Sequence, residues 1–153
     1  MRRWPLGQIT SYMVAGLMEK IGPVLAARKD RFVLVSMAAA LTIPDLRERG
    51  CGDWPLIRIM PNTPSAIGEG VIFYTCDGVT AEEEAAFLEN MAGAGRLLPL
   101  DDHLMDAGSA VAGCGPAFVD LFIEAMADGG VACGLPRAKA LQYAAQMVVG
   151  TGR

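Results

Sequence analysis

The sequence changes its hydrophobic pattern near residue 100, and this change limits the folds that the chain can adopt. Before it, short β-branched and apolar runs alternate with segments of helical spacing. Such alternation is typical of an α/β sheet that is parallel in at least part. After it, each apolar segment has helical spacing. We therefore predict two parts, an α/β domain over residues 1–100 and an all-α domain over residues 101–153.

Strands and helices of the first part are bounded by recognisable start and stop residues. The predicted strands are Phe32–Val35, Leu56–Met60, Val71–Thr75 and Leu97–Leu100. The predicted helices are Tyr12–Arg28 with a kink or short break at Gly22-Pro23, a short helix from Thr42 to Gly50, and a helix from the capping box Thr80–Glu83 to about Ala92. Because Phe32–Val35 is a continuous β-branched-rich run, we expect it to be buried on both faces.

Two helices are predicted in the second part, over Gly115–Gly130 and Arg137–Val149. The last helix is rich in alanine and apolar nearly all round, so we expect another surface to cover it. Acidic residues recur every four positions on the first helix, at Asp120, Glu124 and Asp128. That spacing is typical of a solvated face or a salt-bridged edge rather than of paired catalytic carboxylates.

Composition excludes several classes of function. The chain carries 13 basic and 17 acidic residues, which disfavours an extended nucleic-acid footprint. Its longest nearly uncharged apolar runs, Phe32–Pro44 and Gly108–Val119, are shorter than a membrane span requires, and no signal peptide follows Met1. We expect a cytoplasmic protein that binds no membrane.

Four cysteines and one histidine define no metal or redox site. The cysteines are separated by 25, 38 and 19 positions, and His103 is the single histidine. No C-x-x-C pair is present, so we predict reduced cysteines and no metal. The run Asp101-Asp102-His103 is read either as an acid/base cluster or, in preference, as helix-capping acids.

Three loops carry candidate binding residues, each with a structural alternative. Met60–Pro64 and Ser36–Ala40 each follow a predicted strand, where α/β sheets bind ligands. A proline-stiffened turn and close helix packing explain these two loops equally well. Gly113–Phe118 opens a helix whose free N–H groups can hold a carboxylate, although a glycine turn without a ligand fits as well.

Taken together, these loops resemble pyrroline-5-carboxylate reductase. The resemblance covers Tyr12–Arg153, nearly the whole chain. The segments that carry it are Ser36-Met37-Ala38-Ala39, Arg58-Ile59-Met60-Pro61-Asn62-Thr63-Pro64, Gly68-Glu69-Gly70, Gly113-Cys114-Gly115-Pro116-Ala117-Phe118, Phe122–Val131 and Gly134-Leu135-Pro136-Arg137.

The resemblance implies part of a Rossmann-like nucleotide-binding domain followed by part of a helical dimerisation domain. It also implies an NADPH- or NADH-dependent reduction of 1-pyrroline-5-carboxylate to L-proline, in proline biosynthesis, by a homodimer or larger homo-oligomer. It implies no catalytic side chain that we can assign, because the cofactor supplies the hydride. The implied cofactor-binding residues are Ser36, Ala38, Ala39, Asn62, Thr63 and Pro64, and the implied substrate-binding residues are Gly113, Cys114 and Gly115.

Departures from the family pattern shape a further expectation. The chain has no G-x-G-x-x-G turn and no S-P-G-G-T-T loop, and residues 1–11 do not match. Alanine or cysteine stands at Ala40, Ala112 and Cys114, where the family has glycine or serine. We expect an inactive fragment that binds NADPH weakly. The alternative is a non-catalytic oligomerisation module derived from such a reductase.

Overall fold

A computed structural model describes residues 11–153 of the chain. The expectation that residues 1–11 are unrelated to the family therefore lies almost wholly outside the described residues. The strands are β1 (Leu34–Ser36), β2 (Leu56–Pro61), β3 (Gly70–Asp77) and β4 (Gly95–Pro99). The helices are α1 (Val14–Ala26), α2 (Ile43–Leu46), α3 (Ala81–Met91), α4 (Met105–Gly108), α5 (Gly115–Ala132) and α6 (Arg137–Thr151). Short 3-10 or π turns cover Ser11–Met13, Arg47–Cys51, Thr63–Ile67, Ala92–Ala94, Asp102–Leu104 and Ser109–Gly113.

The four described strands form one mixed sheet in the order β1-β2-β3-β4. β1 pairs with β2 in parallel, and β3 pairs with β4 in parallel, while β2 and β3 are antiparallel. The expectation of an α/β sheet that is parallel in part is confirmed. The antiparallel step at the centre places the carboxyl ends of β1 and β2 at one end of the sheet and those of β3 and β4 at the other.

Apolar residues of β2 divide between two cores because successive side chains of a strand point to opposite faces. Leu56 packs with Met18 and Leu46, from α1 and α2. Ile57 and Ile59 pack with β3 and α3, in a cluster that includes Phe87. The sheet is thus covered by α1 and α2 on one face and by α3 on the other.

Both predicted helix caps are present. The Thr42 hydroxyl accepts a hydrogen bond from the Asp45 N–H at 3.3 Å, while the Thr42 N–H donates to the Asp45 carboxylate at 2.8 Å. Thr80 and Glu83 make the same reciprocal pair at the start of α3. Capping boxes depend on residues three positions apart, so the local sequence is sufficient to specify them.

Two details of the first part differ from expectation. β1 is not buried on both faces, since Val35 is 39% exposed. The strand has three residues and lies at the edge of the described sheet, so it has a described neighbour on one side only. α1 also runs through Gly22 and Pro23 without the break that was one of our two expectations, because the next turn closes normally, with the Ala27 N–H donating to the Pro23 carbonyl at 3.1 Å.

The described part of the chain divides into two compact units, one ending at Gly113 and the other running from Cys114 to Arg153. The second unit is a hairpin of α5 and α6 that packs through small side chains, with Ala127, Ala140 and Ala144 buried. Gly130 lies where a Cβ atom would approach Ala140 Cβ to 3.2 Å. Small residues let helix backbones approach closely, and the remaining faces of both helices are largely exposed. The division between residues 100 and 101 that the sequence suggests stays a prediction.

One helical run passes the length and hydropathy criteria for a membrane span. It covers Asp102–Ala132, and its apolar 18-residue window has mean hydropathy 1.5 and is 6% buried. We had expected no segment of sufficient length because we considered only uninterrupted apolar residues. The helical run is longer because it includes isolated acidic residues between the apolar ones. One such helix is weak evidence for a membrane segment, since core helices of globular proteins pass the same test. The absence of a membrane partner stays a prediction.

Candidate functional site

The carboxyl ends of β1 and β2 lie side by side at one end of the sheet. The two strands pair with Ser36 opposite Arg58, and β2 continues to Pro61. In open α/β sheets, ligands bind in the crevice outside the carboxyl ends of the strands. The loops that follow Ser36 and Pro61 therefore form a candidate binding edge. This arrangement brings together the two loops that carry the predicted cofactor-binding residues.

The first loop of the binding edge is built from small residues. Ala38 is 6% exposed, and its N–H donates to the Ser36 hydroxyl at 3.4 Å. Ala39 is exposed, and its carbonyl accepts a hydrogen bond from the Ser11 hydroxyl. Ala40 has a φ of 58°, in the left-handed region that favours glycine. The small side chains of this loop thus let a ligand approach its backbone closely. Ala40 has a backbone conformation that glycine would adopt at a lower cost in free energy.

In the second loop, Asn62 joins three segments of the first unit. Its Oδ1 accepts a hydrogen bond from the Val71 N–H at 2.9 Å, at the start of β3. Its Nδ2 donates to the Ala112 carbonyl at 2.9 Å. The side chain makes no capping hydrogen bond with the 3-10 turn that it precedes, although Asn is a favoured cap residue. Each end of the carboxamide therefore has one backbone partner.

Thr63 and Pro64 open the 3-10 turn that follows Asn62. Thr63 is exposed and Pro64 is half-buried. Within the described residues, the Thr63 hydroxyl makes no hydrogen bond, so it is available to a ligand. Gly68 ends the turn with a φ of 78°, and the Glu69 N–H donates a hydrogen bond to the Pro64 carbonyl.

The predicted substrate-binding residues fall at the division between the two units. Gly113 ends the first unit, while Cys114 and Gly115 begin the second. A Cβ atom on Gly113 would lie 2.7 Å from Ser109 Oγ, so a larger residue there would require the Ser109 hydroxyl to move. Cys114 is exposed and immediately precedes α5, whose second residue is Pro116. The helix start that the sequence indicated is present.

An ion pair between a buried arginine and a half-buried aspartate near the binding edge was missed by our sequence reasoning. Arg58 is 1% exposed, and its Nη1 lies 2.7 Å from Asp102 Oδ1. The other carboxylate oxygen of Asp102 accepts a hydrogen bond from the Ile43 N–H at 2.8 Å, at the start of α2. Asp102 is thus a helix-capping acid, which was the preferred interpretation above. The helix that it caps is α2, which is distant from it in the sequence. The available signal was an arginine inside the apolar strand Leu56–Met60.

The acidic stripe of α5 takes part in a salt-bridged edge. Arg137, the first residue of α6, pairs with Asp128, and its Nη2 lies 3.9 Å from Glu124 Oε1. These side chains are largely exposed, so the pairs contribute little to stability. The interpretation as a salt-bridged edge rather than as catalytic carboxylates fits this geometry.

A cavity lined partly by polar side chains lies away from the binding edge. A cavity of about 340 Å³ is lined in part by Tyr74, Cys76, Glu84 and Asp101. The Tyr74 hydroxyl donates to Glu84 Oε1 at 2.9 Å. Burial, with the Glu84 hydrogen bond, raises the pKa of Tyr74 to about 12, and burial followed by the charge of Glu84 raises the pKa of Cys76 to about 11. Both groups are therefore protonated near neutral pH, and none of the predicted site residues lines this cavity.

Comparisons with known proteins agree with the fold. The family described as "Pyrroline-5-carboxylate reductase dimerisation" matches residues 102–153. The pyrroline-5-carboxylate reductase of Pisum sativum is 42% identical over 139 residues, which is 90% of this chain and 50% of that protein. The Schizosaccharomyces pombe enzyme is 46% identical over 129 residues, covering 83% of this chain and 45% of its own length.

Solved structures give the same result. Plasmodium falciparum pyrroline carboxylate reductase with NADP bound superimposes with a TM-score of 0.83 at 29% identity, over 93% of this chain and 55% of that one. The Streptococcus pyogenes enzyme superimposes with a TM-score of 0.82 at 29% identity, over 94% and 53%. The chain spans about half the length of the relatives that it matches. Within that span, the fold and the sequence show that the chain belongs to the pyrroline-5-carboxylate reductase family.

Proposed function

We propose that this chain contributes the nicotinamide end of a cofactor site and a dimerisation surface to an NADPH- or NADH-dependent pyrroline-5-carboxylate reductase. The observation that carries the proposal is the parallel pairing of β1 and β2, which places the loops after Ser36 and Pro61 side by side. Family membership supplies the reaction class, reduction of 1-pyrroline-5-carboxylate to L-proline. In the related Plasmodium falciparum structure, NADP is bound.

The residues of the binding edge suit one end of the cofactor. Ser36 and Thr63 offer hydroxyl groups, and Ala38, Ala39 and Pro64 leave room for a flat ring against the backbone. The pyrophosphate of the cofactor has no comparable binding residues here, because no G-x-G-x-x-G turn occurs in the 153 residues. Nothing in this sequence therefore supplies the glycine cradle that dinucleotide-binding folds use for that group. The residues present fit the ribose and nicotinamide but not the pyrophosphate.

Bound NADPH or NADH supplies a hydride to the C=N carbon of the substrate. The protein's part in such chemistry is orientation and charge complementarity. At the start of α5, Pro116 has no N–H group, and the Ala117 N–H donates to the Cys114 carbonyl at 3.1 Å. A substrate carboxylate is therefore left the N–H groups that precede Pro116, near a helix N-terminus that favours an anion. On this proposal, Gly113, Cys114 and Gly115 bind the substrate through their backbone.

Nucleotide titration of the isotopically labelled 153-residue chain tests the cofactor assignment. Nicotinamide mononucleotide and NADP+ are expected to shift the amide resonances of residues 36–39 and 62–64. Adenosine 2′,5′-bisphosphate is the control, and we expect it to leave these resonances unchanged. Shifts confined to other residues, or no shifts with either nicotinamide compound, would contradict the assignment. In a parallel assay we expect no oxidation of NADPH that depends on 1-pyrroline-5-carboxylate, because the pyrophosphate has no cradle in the chain.

The second component of the proposal is pairing with another copy of the chain through α5. Phe118, Leu121, Phe122 and Met126 are 49–65% exposed, and exposed apolar patches of this kind mark interaction surfaces. The dimerisation family matches the same segment. If pairing occurs without nucleotide binding, the non-catalytic oligomerisation module is the better description.

Sedimentation at several concentrations tests this pairing. The wild-type chain is expected to sediment as a dimer, and Leu121→Asp as a monomer, because the substitution places a charge in the apolar face. Ile67→Asp is the matched control, since Ile67 is 79% exposed but lies in the first unit. A monomeric wild-type chain, or an unchanged Leu121→Asp dimer, would contradict pairing through α5.

A further inference from the structure

Asn62 uses both ends of its carboxamide on the backbone of its own unit. Val71 N–H and Ala112 C=O are its two partners, each at 2.9 Å. The residue is half-buried, and it precedes a short 3-10 turn that it does not cap. These contacts lie 9 and 50 positions away in the sequence, so they hold separate segments together.

We infer that Asn62 is a positioning residue that acts on the cofactor through the loop it holds, rather than through its own carboxamide. Its two hydrogen bonds hold the Pro61–Pro64 loop against the start of β3 and against the Ser109–Gly113 turn. Within the described residues, the neighbouring Thr63 hydroxyl has no hydrogen-bond partner and is exposed. The ligand contact in this loop therefore falls to Thr63. This inference rests on the proposed function, because the cofactor is what the loop is positioned to meet.

Substitutions of Asn62 separate its two hydrogen bonds. Asn62→Ala removes both. Asn62→Asp keeps an acceptor for the Val71 N–H. It replaces the donor to the Ala112 carbonyl by a charged oxygen, and two acceptor oxygens at the observed separation of 2.9 Å repel each other. Protonation of the introduced carboxyl restores an O–H donor. The Asp variant is therefore expected to recover as the pH is lowered towards 4.

Amide exchange and carbonyl chemical shifts of the full 153-residue chain read the two bonds independently. In Asn62→Ala, we expect the Val71 amide to exchange at least about tenfold faster than in wild type. In Asn62→Asp at pH 7, Val71 is expected to stay protected while the Ala112 carbonyl shift moves, and that shift is expected to return towards wild type near pH 4. Asn90→Ala is the matched control, since the Asn90 side chain donates to the Ala86 carbonyl within α3. Unchanged Val71 exchange in Asn62→Ala would overturn the inference.

NADP+ titration of the same variants separates positioning from simple structural support. We expect Asn62→Ala to raise the Kd for NADP+ about tenfold, Asn62→Asp to regain affinity near pH 4, and Thr63→Val to raise the Kd without altering Val71 exchange. An unchanged Kd in Asn62→Ala would overturn the positioning role while the proposed function stands. A wild-type chain with protected Val71 that shows no NADP+ shifts would instead overturn the cofactor assignment of the proposed function.

Discussion

The buried Arg58 forms an ion pair with the half-buried Asp102 that joins the middle of β2 to the segment after β4. Arg58 Nη1 lies 2.7 Å from Asp102 Oδ1 and 3.1 Å from the Asp102 carbonyl. Because Asp102 also accepts from the Ile43 N–H, one carboxylate holds the start of α2 and the guanidinium together. Ile43 lies soon after the Ser36–Ala40 loop, and Arg58 lies shortly before Asn62. The pair therefore supports both loops of the binding edge.

Removal of the Asp102 carboxylate is expected to destabilise the first unit. Asp102→Ala leaves a guanidinium that is 1% exposed with Asp106, 3.8 Å away and largely exposed, as its nearest remaining acid. Removing one partner of a fully buried pair costs about 3–5 kcal/mol. Because the Asp102 side chain is 23% exposed, we expect a smaller loss of about 2 kcal/mol. Urea unfolding measures the loss, and Asp101→Ala is the control because Asp101 is exposed and its side chain caps no helix. A loss in Asp102→Ala no larger than in the control would contradict the role of the pair.

Glycine at position 40 is expected to stabilise the chain. Ala40 has a φ of 58°, a conformation that costs a non-glycine residue about 1–2 kcal/mol. Glycine avoids that cost but loses more entropy on folding, about 0.4–1 kcal/mol. We expect Ala40→Gly to raise the free energy of unfolding by about 0.5–1 kcal/mol. Ala39→Gly, a neighbour without a positive φ, is expected to lower it, and the same sign for both variants would count against the explanation.

Stability is expected to fall at acid pH through Glu83. The Arg31 guanidinium, with the Thr80 N–H, lowers the pKa of Glu83 from 4.5 to about 2. A depressed carboxyl pKa in the folded state adds stability that is present above pH 4.5 and is lost as the pH falls towards 2. Between these values, wild type should lose more stability than Glu83→Gln in urea unfolding. Glu89→Gln, an exposed substitution on the same helix, should follow wild type, and parallel curves for all three proteins would refute the assignment.

Cysteine reactivity is expected to divide the four thiols into two pairs. Cys114 and Cys133 are exposed, whereas Cys51 is buried and Cys76 is half-buried. Burial raises the pKa of Cys51, and the pKa of Cys76 is raised from 9.0 to about 11, which reduces its thiolate about a hundredfold. At pH 7.5, iodoacetamide should modify Cys114 and Cys133 first, as peptide mass spectrometry can show, and all four in urea. Early modification of Cys76 in the folded chain would contradict this order.

Local patterns in the sequence were sufficient for most of the secondary structure. The capping boxes at Thr42 and Thr80 and the strands around Leu56 and Val71 depend on residues within a few positions of one another. For that reason they were predicted close to their observed bounds. The exposure of β1 was predicted wrongly, because an apolar run does not indicate what packs on each face of the strand.

The sequence by itself determined the family, the α/β-then-helical order and the two loops of the binding edge, since motifs and periodicity are local. The tertiary structure alone decided that Arg58 is buried against Asp102, 44 positions away, and that Asn62 bonds to Ala112, 50 positions away. It also decided that Ala40 adopts a left-handed backbone. The physical reason is that hydrogen bonds and ion pairs between distant residues depend on how the sheet and turns bring them within about 3 Å, a distance that spacing along the chain does not encode.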